Sequence, residues 1–180
     1  YGGEVIFTPG DIVYSSSAII EADPPNLATE KLATLLNGEN LTFDDLYAAL
    51  DKLAGLRVHV VGDTIVDTLT RTTLIGSNAK TPTFSCRYEG HTDFVGGAGI
   101  VAKHLRAAGA TVTFSTILGD DALKDFVLED LQSAGVDAQA VIDPTRLTTN
   151  KNSFVAGGYR LLKVDTLDNR SVSDKILEEL

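Results

Sequence analysis

The chain has 180 residues, 43% apolar and 22% charged, with a formal net charge of −10, which is the make-up of a globular protein with room for one full domain or one domain and part of another. The acidic balance argues against nucleic acid or an anionic membrane surface as partner, and no apolar run approaches the roughly 20 residues that cross a bilayer. Residues 1–55 hold nine carboxylates against Lys31 and Lys52, a net of −7, so any anionic ligand must be held by local donors and not by a general positive field.

From the amino end, "GEVIFT" reads as a short strand, "PGD" as a turn, and "IVYSSSAII" as a second strand or the approach to a helix. Tyr1 opens the chain with no basic or apolar leader, and there is no Met; this leads us to expect a piece of a longer protein with no signal peptide. The adjacent prolines of "EADPPN" mark a first boundary. Residues 27–36 have helical apolar spacing and are expected to stop at Asn37-Gly38. A second helix follows, with Thr42 as N-cap and Asp45 three residues on, Phe43, Leu46, Tyr47, Leu50 and Leu53 on one face, and Gly55 at its end.

"LRVHVVGD" then reads as a buried strand emptying into a loop, "GDTIVDTL", as at the start of a parallel α/β sheet. "TPTFSCRYEG" and its neighbours suggest a strand pair partly outside that sheet. The glycine corner Gly96-Gly97-Ala98-Gly99 leads into a helix expected to turn Ile100, Val101, Leu105 and Ala108 inward, stopped by Gly109 and followed by the strand "TVTFSTIL". "GDDALKDFVLEDLQSAG" repeats the scheme with Leu123, Phe126, Val127 and Leu131 at helical spacing, and "VDAQAVI" is a third strand. The alternation of strand and helix predicts a right-handed, doubly wound parallel α/β layer. Near the end, Gly157-Gly158 sits between two β-like runs as a hairpin signal, and Ser173 is placed to cap a last helix.

Three places are candidate sites. The glycine corner offers a helix amino terminus and a close backbone approach, yet its spacing is neither G-x-G-x-x-G nor G-x-x-x-x-G-K-[ST], so it is either a structural turn or a ligand site. Asp63 and Asp67 follow the first parallel strand, where open α/β sheets bind ligands; they serve as hydrogen-bond acceptors for sugar hydroxyls, as metal ligands, or as turn caps. Lys151, after Thr148-Thr149-Asn150, either meets a phosphate or is a solvated lysine. His59, His91 and His104 have no metal-ligand spacing and read as structural. Cys86 is the single cysteine, which excludes an internal disulfide, fits a reducing cytoplasm and reads as inert.

Taken in order, "LRVHVVGDTIVDTL", "GGAGIVAKHLRAAGATVTFSTILGDD", "LQSAGVD" and "TTNKNSFVAGGYRLLKVD" resemble the amino-terminal half of PfkB/ribokinase-family carbohydrate kinases, with the flavour of the heptose-phosphate kinase domain of bifunctional ADP-heptose synthases. The resemblance implies a ribokinase-like doubly wound sheet, seen in part, with a small β lid. It places sugar hydroxyls on Asp67 with Asp63 beside it, the sugar against Gly96 and Gly97, and Lys151 near the substrate's phosphate side. The strands between Ala79 and Glu89 match the lid, which implies a homodimer. ATP and Mg²⁺ are implied for the intact protein, and a sugar or sugar phosphate as substrate. Ile100 stands where the family usually has asparagine. No residue here matches the family's catalytic-base aspartate in its G-x-G-D motif, or most of its ATP pocket.

"GGEVIFTPGDIVYSSSAII" is similar to the closing segment of a cytidylyltransferase-like nucleotidyltransferase, with Ser15, Ser16 and Ser17 as phosphate contacts or simply a turn. The resulting division is 1–22 as that tail, 23–41 as a linker with a helix, and 42–180 as the first part of a kinase domain. The function expected is transfer of the ATP γ-phosphate to a sugar hydroxyl in the cytoplasm, with a non-catalytic sugar-binding or dimerisation module, or part of a fused nucleotidyltransferase, as alternatives.

Overall fold

Capping chemistry defines the first helices. The computed structural model describes residues 27–77 and 83–180, and the chain divides into two units, residues 1–46 and 47–180. In the first, α1 (Leu27–Glu39) runs past the expected stop at Asn37-Gly38. It ends because Asn40 adopts a left-handed φ of 52° and Leu41 N–H donates to the Leu36 carbonyl at 2.9 Å. At the start of α2 (Phe43–Asp51), Asp45 N–H donates to Thr42 Oγ1 at 3.2 Å while Thr42 N–H donates to Asp45 Oδ2 at 2.8 Å, a reciprocal cap. Of the expected stripe of that helix, Phe43, Tyr47 and Leu50 are exposed and Leu46 and Leu53 half-buried. The proposed nucleotidyltransferase tail, Ser15 to Ser17, and residues 79–82 of the expected lid lie outside the described residues.

The second unit holds a parallel sheet in the order β1-β4-β5, built from β1 (Arg57–Val61), β4 (Thr111–Gly119) and β5 (Asp137–Asp143). Helix α3 (Ala98–Ala107) precedes β4, and α4 (Ala122–Ser133) joins β4 to β5. Val112, Phe114 and Leu118 on one face of β4 pack with Ala102, Val127 and Leu131 in the core. Each large side chain so buried contributes about 1.5–3 kcal/mol. The inward face of α3 differs from the expected one: Gly99 and Ala102 are buried while Val101 is 49% exposed. The helix lies too close to the strands for a larger residue, since a β-carbon on Gly99 would sit 2.5 Å from Val95 Cγ1. On α4 the expected face holds, with Val127 and Leu131 buried and Leu123 and Phe126 packed beside them.

A second, four-stranded sheet has the order β3-β2-β6-β7. Its members are β2 (Thr64–Ser77), β3 (Phe84–Gly97), β6 (Thr149–Ala156) and β7 (Tyr159–Thr166). β2 pairs antiparallel with β3 and parallel with β6, and β6 turns into β7 through Gly157 and Gly158 at φ 54° and 82°, the hairpin that was expected. "GDTIVDTL" is therefore not a loop. Only Gly62 and Asp63 turn, and Asp67 lies inside β2. One face of β2 is buried although it carries threonines: Thr68 donates to Asp93 Oδ1 at 2.5 Å, Thr70 to Asn152 Oδ1 at 2.8 Å and Thr72 to the Val155 carbonyl at 2.9 Å. Hydrogen bonds replace apolar contacts there. The short α5 (Asp174–Glu179) starts with Ile176 N–H on Ser173 Oγ at 3.5 Å. Among the described residues no helix is long and apolar enough to cross a membrane.

Candidate functional site

Strand register assembles the site. In the parallel pair β2 and β6, Asp67 stands opposite Lys151 and Ile65 opposite Thr149, so these side chains share the face of the sheet opposite the buried threonines. Asp67 and Asp63 are exposed, and Lys151 is half-buried. Neither carboxylate and no part of the lysine head has a hydrogen-bond or ion-pair partner among the described residues. Asp67 and Lys151 share one strand register and Asp63 stands in the turn before it, three charged groups whose charges add little to stability without partners.

The glycine corner is fitted to the two aspartates. Ala98 N–H donates to the Asp63 carbonyl at 2.8 Å, and Gly97 stands at the N-cap of α3, which has no side-chain cap. A β-carbon on Gly97 would fall 2.5 Å from the Asp63 carbonyl oxygen, and one on Gly96 2.5 Å from Asp67 Oδ2. Gly97 also holds φ 60° and ψ −138°, a region open only to glycine. The Asp67 carboxylate thus lies directly on the glycine backbone.

Asp63, Ile65, Ile117 and Lys151 line a cleft of about 390 Å³. Asp67 and the Gly96-Gly97 pair adjoin it through Ile65, which is opposite Gly96 in β3. All five predicted site residues therefore fall in one neighbourhood, although only Asp63 and Lys151 line the cleft itself. The other wall, which sequence reasoning missed, carries Arg146, Asp168 and Arg170. Arg146 Nε donates to Asp143 Oδ2 at 2.9 Å, and Arg170 grips Asp168 through Nε and Nη2 while also donating to the Thr145 carbonyl at 2.6 Å. Hydrogen bonds from the Arg170 side chain, then from its backbone N–H, hold the Asp168 carboxyl down to about 2. The only signal for these arginines was their spacing to a nearby acid, which is equally that of a solvated surface.

The turn that delivers β6 is tied to α4. Asp121 Oδ1 accepts from Leu123 and Lys124 N–H at 3.1 Å each, and its Oδ2 accepts from Thr148 N–H at 2.8 Å. Thr148 Oγ1 in turn accepts from Gly119 N–H at 3.0 Å. Thr148, three residues before Lys151, is thereby tied to the amino end of α4.

The histidines do not join the site. His59 Nε2 meets Ser115 Oγ at 2.9 Å, and His91 Nδ1 meets Tyr88 Oη at 2.7 Å; His104 lies on α3 and Cys86 is an exposed free thiol. Among the described residues no three of His, Cys, Asp and Glu come together as a metal site.

A model described as pfkB family carbohydrate kinase matches residues 56–175. The chain belongs to that family. It is 33% identical over 136 residues to the bifunctional protein HldE of Caulobacter vibrioides, covering 73% of this chain and 27% of the relative, and 32% identical over 136 residues to HldE of Hyphomonas neptunium, covering 75% and 28%. This pfkB-family chain thus spans about a quarter of the length of the curated relatives it matches. A carbohydrate kinase from Agrobacterium tumefaciens superposes with a TM-score of 0.51 at 18% identity, covering 61% of this chain and 35% of that one, which shows a shared ribokinase-like fold. In this pfkB-family frame the parallel sheet takes the expected place of the core, and Phe84 to Glu89 of the expected lid fall within β3 of the four-stranded sheet.

Proposed function

We propose that the intact protein transfers the γ-phosphate of ATP to a hydroxyl of a sugar or sugar phosphate, a heptose phosphate among the candidates. The observation that carries this reading is the unpartnered Asp67 carboxylate, seated against Gly96 and opposite Lys151 in register, within a chain of the carbohydrate-kinase family. Asp67 accepts hydrogen bonds from sugar hydroxyls and fixes the ring on the Gly96-Gly97 platform, with Asp63 beside it. The apolar side chains of Ile65 and Ile117 exclude water from the C–H face of the ring, and Lys151 faces an anionic group. Positioning and charge neutralisation dominate phosphoryl transfer, and these residues supply the acceptor's half of that arrangement. ATP brings Mg²⁺ on its own phosphates, the usual mode for that ion.

The name of the HldE relatives, bifunctional protein, favours a second activity in the intact protein. We assign it to a nucleotidyltransferase domain whose end is residues 1–22, followed by the linker 23–41 and the kinase part 42–180. The lid sheet is the proposed homodimer contact and the cytoplasm the proposed location. The test is ATP-dependent phosphorylation of a panel of free and phosphorylated sugars by the intact protein. Transfer that is lost in Asp67→Ala supports the kinase; transfer unaffected by Asp67→Ala, or none with any sugar, refutes it. Release of pyrophosphate from a nucleoside triphosphate reports the second activity separately.

A further inference from the structure

β6 has no hydrophobic pattern where it meets the site. Its first five residues, Thr149 to Ser153, are all polar and all half-buried, whichever face they take, so burial alone would let this part of the strand slip by one residue. Such a slip would turn Lys151 to the back of the sheet and set Asp67 opposite Asn150 or Asn152. The back face, however, carries side-chain rungs. Asn150 Nδ2 donates to the Val66 carbonyl at 3.1 Å and to Thr68 Oγ1 at 2.7 Å, so one carboxamide bridges the two residues that flank Asp67. Thr68 Oγ1 in turn donates to Asp93 Oδ1 at 2.5 Å, which ties β6, β2 and β3 into one chain of hydrogen bonds. Thr70 adds a second rung by donating to Asn152 Oδ1 at 2.8 Å. Both threonines are buried, where a hydroxyl deprived of its partner is costly.

We propose that Asn150 is a positioning residue, which with Thr68 and Asp93 locks the register that sets Lys151 opposite Asp67. Its effect on sugar binding rests on the kinase reading above; the lock itself does not. Asn150 is absent from the lining of the cleft and acts through its neighbours. Both rungs are diagonal: Thr68 is aligned with Asn152 but bonds to Asn150, and Thr70 is aligned with Phe154 but bonds to Asn152. A strand slipped by one residue would turn both asparagines toward the cleft and take their amides from the two buried hydroxyls. A buried polar group that fixes one pairing against its alternatives is the best-attested use of such groups.

Cross-strand NOEs between Asp67 and Lys151, measured by NMR on the 180-residue chain, read the register directly. Asn150→Asp keeps the shape of the side chain but can only accept, so it opposes the Val66 carbonyl, and these NOEs should be lost. Thr68→Val removes the same rung with a side chain of matching shape and good strand propensity, which provides a second variant should Asn150→Asp not fold. Thr68→Ser keeps the hydroxyl and should keep the NOEs. Asp67–Lys151 NOEs that survive both Asn150→Asp and Thr68→Val overturn the lock. In the intact kinase, Asn150→Asp and Thr68→Val should each raise the KM for sugar about tenfold, as for a lost hydrogen bond to a charged group, with kcat little changed and Thr68→Ser near the wild type. The double variant should be no worse than the poorer single one, because both break one rung. A merely structural role would reduce the amount of active protein, lowering apparent kcat at unchanged KM, and that result overturns the positioning role. Loss of the NOEs in a protein that phosphorylates no sugar leaves the lock standing and removes the kinase reading instead.

Discussion

The carboxylate of Asp67 and the backbone of Gly96 occupy adjoining space with no room for a methyl group: a β-carbon at Gly96 would come within 2.5 Å of Asp67 Oδ2. The two residues sit on neighbouring antiparallel strands, Gly96 being paired with Ile65 and Asp67 with Phe94. Gly96→Ala should therefore swing the carboxylate away from the Gly96-Gly97 backbone while the strands stay paired. We expect a loss of about 1–3 kcal/mol in stability from overpacking and a rise in sugar KM, read by thermal melting and by steady-state kinetics of the intact kinase.

Gly97→Ala should be the more damaging of the two. The obstacle there is the Asp63 carbonyl oxygen at 2.5 Å, which is backbone and cannot rotate aside, and φ 60° with ψ −138° adds about 1–3 kcal/mol of strain. Equilibrium denaturation of both alanine variants side by side checks the order; a Gly97 variant more stable than the Gly96 variant contradicts it.

Asp67→Asn keeps the shape of the side chain and removes its charge. Because the carboxylate has no partner among the described residues, folding stability should change little, within about 0.5 kcal/mol. Activity should fall about 10- to 100-fold in kcat/KM, the value of hydrogen bonds to a charged acceptor. A large fall in melting temperature would show instead that Asp67 is structural.

Asp121→Ala removes two functions at once, the cap of α4 and the acceptor for Thr148 N–H. A lost N-cap costs about 0.5–2 kcal/mol, and an unsatisfied amide in the buried Thr148 costs about 1–3 kcal/mol more. Asp121→Ser should restore the first and not the second. Melting curves of the two variants separate the contributions, and hydrogen exchange at Thr148 reports the second directly.

The Asp168 carboxyl, held down to about 2 by Arg170, makes one wall of the cleft acid-sensitive. An ordinary aspartate titrates near about 3.9. A lowered folded value means that the clamp contributes in full above that ordinary value and is lost as pH falls from there toward about 2. The Arg170 side-chain N–H signals should be protected in NMR spectra at about pH 5 and lose protection across that window, while Asp168→Asn should lack protection throughout. Protection that persists below about pH 2 contradicts the assignment.

Local signals in the sequence were readable where the chemistry is local. The Thr42-Asp45 cap, the Gly157-Gly158 hairpin, the Ser173 cap and the buried face of α4 all depend on residues within a turn or two of one another. β2 was hidden because its buried face is Thr64, Val66, Thr68, Thr70 and Thr72, which carries no hydrophobic period; its partners Asp93 and Asn152 lie on other strands. Val101 was misplaced because apolar character alone cannot show that α3 lies close enough to the sheet to admit only Gly99 and Ala102. In the site, Asp63, Asp67, Gly96, Gly97 and Lys151 were named from motif order, and the structure brings them into one neighbourhood. Arg146 and Arg170 escaped notice since each has an acid nearby in sequence, and only the tertiary fold turns both into one cleft.

The pairing of β2 with β6 joins residues such as Val66 and Asn150, 84 positions apart. On a ribosome the β2–β3 hairpin and the first parallel strands emerge well before β6 exists, and such distant pairings form late because a long loop must close first. Asp67 must therefore wait for its neighbour Lys151 until 84 more residues have been made. Any product cut short ahead of Thr149 would carry Asp63, Asp67 and the glycine corner, yet leave the edge of β2 unpaired and open to aggregation.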